Sequence, residues 1–254
     1  MNIHQQSQLL QLSVSLNSLQ NARENIGSSF IDLSRLALYA EESGADQIGL
    51  YVSEQKWPDM EADVRQLSQQ VINSFELEVL PTRFMLDQLA KVPVKNVCLV
   101  SACEPFGTQI GAIDLLADLD HVQAAIKELH AQAKQVSIYI LPVPEQIIAA
   151  ANVGVSRLRL DCSSLAHATD GSERERELVK IRLAVTECVR YGISVTLGGA
   201  LALPEITLLA GMPDITQVHV DGAVFAQSLL IGWEKAVREM TALLIKSRLS
   251  NGQM

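Results

Sequence analysis

Short runs of apolar and β-branched residues alternate with longer amphipathic stretches along the chain, and the pair repeats eight times. Residues 9–16 (LLQLSVSL) alternate apolar and polar positions, the period of a strand with one buried face. Further short apolar runs at residues 47–52, 75–80, 96–100, 136–141, 156–160, 194–197 and 216–220 also read as strands. Helical periodicity fills the gaps at residues 30–43, 60–74, 82–90, 116–133, 144–151, 203–210 and 223–247. A loop carrying Asn21, Arg23 and Gly27 is expected to join the first strand to its helix. Ser172 and Glu175 have the spacing of a capping box at the head of another long helix, and Gly192 stands where that helix should stop. Residues 101–117 (SACEPFGTQIGAIDLLA) form the longest unpatterned stretch, the kind that often serves as a lid.

Strands separated by helices of about ten or more residues pair in parallel through right-handed crossovers. Eight such units predict an α/β chain closed into a single (β/α)8 TIM barrel over residues 1–254, with a polar tail at 1–8 and a second tail at 249–254. An open doubly wound sheet is the alternative, but no GxGxxG follows the first strand.

Apolar residues make up 48% of the chain, enough for a large core and incompatible with disorder. Aromatics are only 4%, so Leu, Ile, Val and Ala are expected to fill that core, barrel interior included. A net charge of −9 argues against nucleic acid as a partner and disfavours anionic substrates in the absence of a local positive pocket. Cys98, Cys103, Cys162 and Cys188 share no metal-ligand spacing and read as reduced thiols of a cytosolic protein. Residues 1–7 lack a signal-peptide pattern, and no apolar stretch approaches the ~20 residues of a membrane span. The expectation is a soluble cytoplasmic protein with no cofactor, no metal and no membrane contact.

In such barrels chemistry sits at the C-terminal ends of the strands. Those positions hold Tyr51, Ser101, Leu141, Asp161, Gly199 and Asp221, with Glu78 as the one good acid–base candidate. Glu78, Asp161 and Asp221 together could offer oxygen ligands to Mg2+ or Ca2+ only if the fold gathers them. His219, two residues before Asp221, reads as a packing histidine, and His121 and His130 as surface residues. Cys103 has no base beside it, and Trp233 reads as a packing or subunit-contact residue.

Several segments together resemble the pyridoxine 5′-phosphate synthase family: GADQIGLYVSEQKWPDMEADV, FELEV around Glu78, the triplet Asn21-Ala22-Arg23, VSIYILPVPEQIIAAANVG and VHVDGAVFAQSLLIGWEKAVREM. The resemblance extends from about residue 9 to 248. It implies a (β/α)8 barrel, commonly octameric, that condenses 1-deoxy-D-xylulose 5-phosphate with 3-amino-2-oxopropyl phosphate to close the pyridine ring of vitamin B6.

The polar residues of that family are largely replaced. Its first-strand Asn-x-Asp-His has no acid or histidine in LSVSLNS, and its second-strand His-Leu-Arg becomes Tyr51-Val52-Ser53. The sixth strand's Glu-x-His-Thr-Gly becomes Arg159-Leu160-Asp161-Cys162-Ser163. Gly-His-Gly becomes Gly198-Gly199-Ala200, and the Gly-His phosphate turn becomes Asp221-Gly222. Glu78 and Arg23 survive. Loss of two acid–base histidines removes roughly 5–11 kcal/mol of transition-state stabilisation if nothing replaces them. A carboxylate at Asp221 costs a phosphate on the order of 3–4 kcal/mol per charge pair.

The chain therefore reads as a diverged relative that has lost the condensation and acts as a binding or regulatory protein. It is expected to be a homo-oligomer, with or without an authentic synthase mixed in, and to take a small-molecule ligand at the C-terminal face of the barrel. The alternative is a residual or altered enzyme, of the synthase type or with a new non-phosphorylated substrate. In either reading Glu78 and Tyr51 are the catalytic candidates, and Arg23, Ser53, Asp161, Gly198, Gly199, Asp221 and Gly222 the ligand-binding ones.

Overall fold

The computed structural model describes residues 9–27, 30–103 and 109–251, with only the backbone of residues 103, 109 and 251. Its strands are β1 (Gln11–Ser15), β2 (Gln47–Tyr51), β3 (Phe75–Val79), β4 (Asn96–Leu99), β5 (Ser101–Cys103), β6 (Gln109–Gly111), β7 (Gln135–Ile140), β8 (Arg157–Asp161), β9 (Ser194–Gly198) and β10 (Gln217–Val220). Its helices are α1 (Asn17–Ile26), α2 (Leu33–Glu42), α3 (Trp57–Gln70), α4 (Arg83–Leu89), α5 (Leu119–Ala131), α6 (Pro144–Asn152), α7 (Ser163–His167), α8 (Gly171–Arg190), α9 (Leu203–Ala210), α10 (Gly222–Ile231) and α11 (Trp233–Asn251). Eight strands close a parallel barrel in the order β1-β10-β9-β8-β7-β4-β3-β2, as the βα repeat predicts.

The punctuation differs from expectation in four places. The segment expected to be a loop around Asn21 and Arg23 is helix α1, ended by Gly27 in the left-handed region at φ +58. Asp170, not Ser172, caps α8: its carboxylate accepts from the Glu173 amide at 2.8 Å, while the Ser172 hydroxyl donates to the same oxygen. The expected final helix is broken at Gly232 into α10 and α11. The unpatterned stretch after β4 contains an antiparallel β5–β6 hairpin, and Ile113 beyond it bridges Ile140 at the end of β7.

The bore of the barrel is the main departure from expectation. Along β3, Phe75, Leu77 and Val79 face the helices while Glu76 and Glu78 reach across to Arg159 on β8. β8 is not adjacent to β3 in the sheet, so this contact passes through the interior. Neighbouring strands continue the pattern in register, with Gly49 opposite Glu76, Tyr51 opposite Glu78, and Arg159 opposite Thr196. The expected aliphatic interior is therefore replaced by a polar one. The apolar half of each alternation, including Leu12, Val14, Ile48, Leu50, Leu77, Leu99 and Leu197, lies in the continuous cluster between sheet and helices. Burial of that face against the helix ring drives assembly at about 25 cal/mol per Å² of apolar surface. It leaves the bore free to hold groups that pair with one another.

Trp233 packs as expected, its indole N–H donating to the Leu36 carbonyl at 2.8 Å.

Candidate functional site

Glu78 ends in the middle of the bore, fully buried. Its Oε1 accepts from Arg159 Nη1 at 2.6 Å and lies 3.3 Å from His219 Nε2. Its Oε2 accepts from Asn17 Nδ2 at 3.4 Å. The other arm of Arg159, Nη2, donates to Glu76 Oε2 at 2.5 Å, and Ser137 donates to Glu76 Oε1 at 3.0 Å. Two carboxylates thus share one guanidinium, and none of the three side chains is more than 5% exposed. A buried carboxylate held this way is occupied as an acceptor. Glu78 stands near the C-terminal end of β3, level with Tyr51 on β2, and is buried there.

Two glycines make room for this cluster. A Cβ on Gly49 would sit 2.8 Å from His219 Cε1 and 3.2 Å from Glu78 Oε1, and one on Gly198 would sit 3.1 Å from Arg159 Cδ. Gly198, a ligand-binding candidate, serves here as clearance for the Arg159 stem.

His219 is buried, and its Nδ1 lies 2.8 Å from the Ser13 hydroxyl. Burial first, and the nearby Arg159 charge second, hold its pKa well below the ordinary histidine value. A neutral ring facing a carboxylate through Nε2 carries its proton there, so Nδ1 accepts from Ser13. Ser13, His219 and Glu78 have the residue types of a nucleophilic triad, but Ser13 is 0% exposed and cannot meet a substrate. The expectation of a packing histidine fits this geometry.

On the β2, β4 and β7 side of the barrel a second cluster forms. Tyr51, Cys98, Val100 and Tyr139 form a separate buried cluster, covered by Ile110 and Ala112 from the hairpin and its exit. Burial first and Glu78 second raise the pKa of Tyr51, so it remains a phenol at neutral pH. Burial pushes the Cys98 thiol up to about 12. Cys103 falls where only the backbone is described.

Asp221 lies above His219; its side chain does not cap α10 but reaches the first turn of α1, where its Oδ1 accepts from the Ser18 amide at 3.1 Å. Burial, together with Glu78 and against the Ser18 hydrogen bonds, raises its pKa to about 6. Asp161 turns back on its own chain, Oδ1 accepting from the Ser163 amide at 2.9 Å. The turn after β9 closes on the same segment: the Ala200 amide donates to Ser163 Oγ at 3.0 Å, and Gly199 has φ +111. An amide that could have cradled an anion there is engaged. Gly222 is exposed at the start of α10.

The remaining candidates lie elsewhere. Arg23 pairs with Asp63 at 2.6 Å between α1 and α3, beside the Lys56–Glu24 pair, and Ser53 is buried. The fold therefore gathers Glu78, Tyr51 and Asp221 around the first residues of α1, but leaves Arg23 outside the bore. Among the described residues no group of three His, Cys, Asp or Glu side chains is placed to hold a metal ion, so Glu78, Asp161 and Asp221 do not make the acidic site considered for Mg2+ or Ca2+.

Glu76, Asn17 and the role of Arg159 escaped the sequence reading. The signal for Glu76 and Arg159 is the strict alternation in FELEV and RLRLD, which puts two acids on one face of β3 and two arginines on one face of β8.

A cavity of about 760 Å3 lies at the opposite end of the barrel from the expected site. It opens among the N-terminal ends of the strands and is roofed by Glu76 and Arg159.

Among solved structures, the chain is similar to a thiamine phosphate pyrophosphorylase from Pyrococcus furiosus (TM-score 0.63, 14% identity, 95% of this chain and 98% of that one). It is also similar to tryptophan synthase from M. tuberculosis (TM-score 0.61, 12% identity, 95% and 93%) and to the Amycolatopsis orientalis BexX/CysO complex (TM-score 0.59, 15% identity, 100% and 95%). At these identities the likeness speaks for the barrel alone. Among the described residues no helix is long and apolar enough to cross a membrane. Residues 12–246 match the family described as pyridoxal phosphate biosynthesis protein PdxJ, nearly the full length of the barrel, and the chain belongs to that family.

Proposed function

We propose that this PdxJ-family barrel has lost the condensation of 1-deoxy-D-xylulose 5-phosphate with 3-amino-2-oxopropyl phosphate and works as a binding or regulatory protein. The observation that carries this reading is Arg159. It stands where the resemblance implies a glutamate, and it ties up the one retained acid–base candidate, Glu78, at 2.6 Å. Asp221 adds a carboxylate at the turn where a phosphate would bind, and Tyr51 and Tyr139 are buried against Ile110 and Ala112. Work as a homo-oligomer, alone or mixed with an authentic synthase, is supported by α10, where Leu229 and Leu230 are 72% and 83% exposed.

The test is incubation of the purified protein with both family substrates, with pyridoxine 5′-phosphate measured by chromatography. No product above the uncatalysed background is expected; turnover at an ordinary enzymatic rate overturns the reading.

One observation favours a second reading, an altered enzyme. Asp221, with its pKa near 6 and Glu78 close by, could exchange a proton near neutrality with a non-phosphorylated substrate. That reading requires Asp221→Asn and Glu78→Gln each to abolish a turnover found by substrate screening, in variants that still fold.

A further inference from the structure

The polar cavity at the N-terminal end of the bore is not explained by the family reaction or by the reading above, and its chemistry is specific. Of the two cations that line it, Arg159 is saturated by Glu76 and Glu78. Arg157 has no carboxylate partner among the described residues. Its one hydrogen bond is a 3.3 Å contact from Nη2 to Asn96 Oδ1. Gln47 is 4% exposed, and its Nε2 donates to Ser74 Oγ while its Oε1, also buried, has no partner. Turning the amide over leaves the other end unpartnered, so the deficit does not depend on how it is placed. Gln217 accepts from Thr196 through Oε1, which leaves its amide N–H groups to donate.

We propose that this cavity is a binding site for a small monocarboxylate bearing several hydroxyl groups, of the sugar-acid type. The carboxylate pairs with the Arg157 fork, the one uncommitted cation, in the planar geometry that favours guanidinium. The hydroxyls, each both donor and acceptor, meet the amide N–H groups of Gln217, and a turn of the Gln47 side chain brings its unpartnered end to them. A phosphate dianion suits the site poorly, because Asp46 and Glu76 also line it and only one cation is uncommitted. The volume, about 760 Å3, falls within the roughly 300–1,000 Å3 typical of small-molecule sites. Exposed Gln11, Asp46, Gln135 and Ser194 at the rim give access from solvent. The site lies at the other end of the barrel from the family's mouth and does not rest on whether the condensation survives.

The test is a thermal-shift and calorimetric titration of the full chain with D-gluconate and D-glycerate, with sorbitol and inorganic phosphate alongside. At ~100 times the dissociation constant a ligand should raise the melting temperature by roughly 5–10 °C. The expected result is binding of at least one hydroxy acid, weakened about 10- to 100-fold by Arg157→Gln and unchanged by Asp221→Asn at the opposite end. Gln47→Met, which keeps length and removes the amide, should weaken it as well and serves if Arg157→Gln does not fold. Absence of binding by both acids overturns the proposal. So does equal or tighter binding of sorbitol or phosphate, or affinity that ignores Arg157 and Gln47 but falls with Asp221→Asn.

Discussion

Replacing Arg159 with methionine removes the guanidinium that bridges Glu76 and Glu78 and keeps most of the stem that packs against Gly198. Breaking a buried ion pair by deleting one partner typically costs about 3–5 kcal/mol, because the remaining charge stays desolvated. Here one guanidinium serves two carboxylates through contacts of 2.6 and 2.5 Å, so the upper end, about 5 kcal/mol, is expected. Against a urea slope of about 2–3 kcal/mol/M, the midpoint should fall by roughly 2 M. The triple variant Arg159→Met/Glu76→Gln/Glu78→Gln removes all three charges and keeps the acceptors that Ser137 and Asn17 use. Neutral replacements of buried ion triads are often no less stable than the original, so the triple should recover to within about 1–2 kcal/mol of the native chain. Urea unfolding at pH 7, followed by far-UV circular dichroism, reads both. A single variant that loses less than about 1 kcal/mol would refute the assignment of Arg159 as the buried counter-charge. A triple as unstable as the single would show that the loss is packing rather than charge.

Gly199→Ala should lower stability by about 2 kcal/mol or more, since φ +111 strains an L-residue and the added Cβ would fall 2.5 Å from Ser163 Oγ; a melting temperature within 2 °C of native would contradict it. Asp221→Asn should stabilise the protein at pH 8 by about 1–2 kcal/mol, discounted for its partial exposure, because a carboxyl with its folded pKa raised to about 6 opposes folding when ionised. That gain is present above pH 6, shrinks as the pH falls through the window from 6 to about 4, and is gone below it; a pH-independent gain would point to another cause. His219 acts with the opposite sign: its folded pKa is depressed, so stability is fully present above about 6.5 and is lost as the pH falls below that value. Native chain and His219→Gln, melted between pH 7.5 and 5.5, should show that slope in the native chain and a shallower one in the variant.

The barrel itself was readable from the chain, because eight apolar runs separated by helical periods leave few other topologies. The helix ends were less so. Ser172 looked like a cap by residue type, yet Asp170, two residues earlier, reaches the free amide of Glu173. The bore was missed for a different reason. Strands covered on both faces are expected to be apolar on both, and the composition appeared to agree. Read residue by residue, FELEV, RLRLD, SVTLG and QVHV each alternate strictly, and their polar half points inward. Which inward residues touch, such as Glu78 with Arg159 across the barrel, depends on strand register and tilt and could not be read from one strand alone.

The ion cluster also bears on how this chain can fold. Arg159 meets its partners across 81 and 83 residues of sequence. Both carboxylates come from the first four barrel strands, and the arginine and His219 come from the last four. Either half folded alone would carry charge of one sign on its open inner face with nothing to answer it. Half-barrels are therefore poor stopping points, and charge pairing across the bore makes sheet closure a late event shared by both ends of the chain.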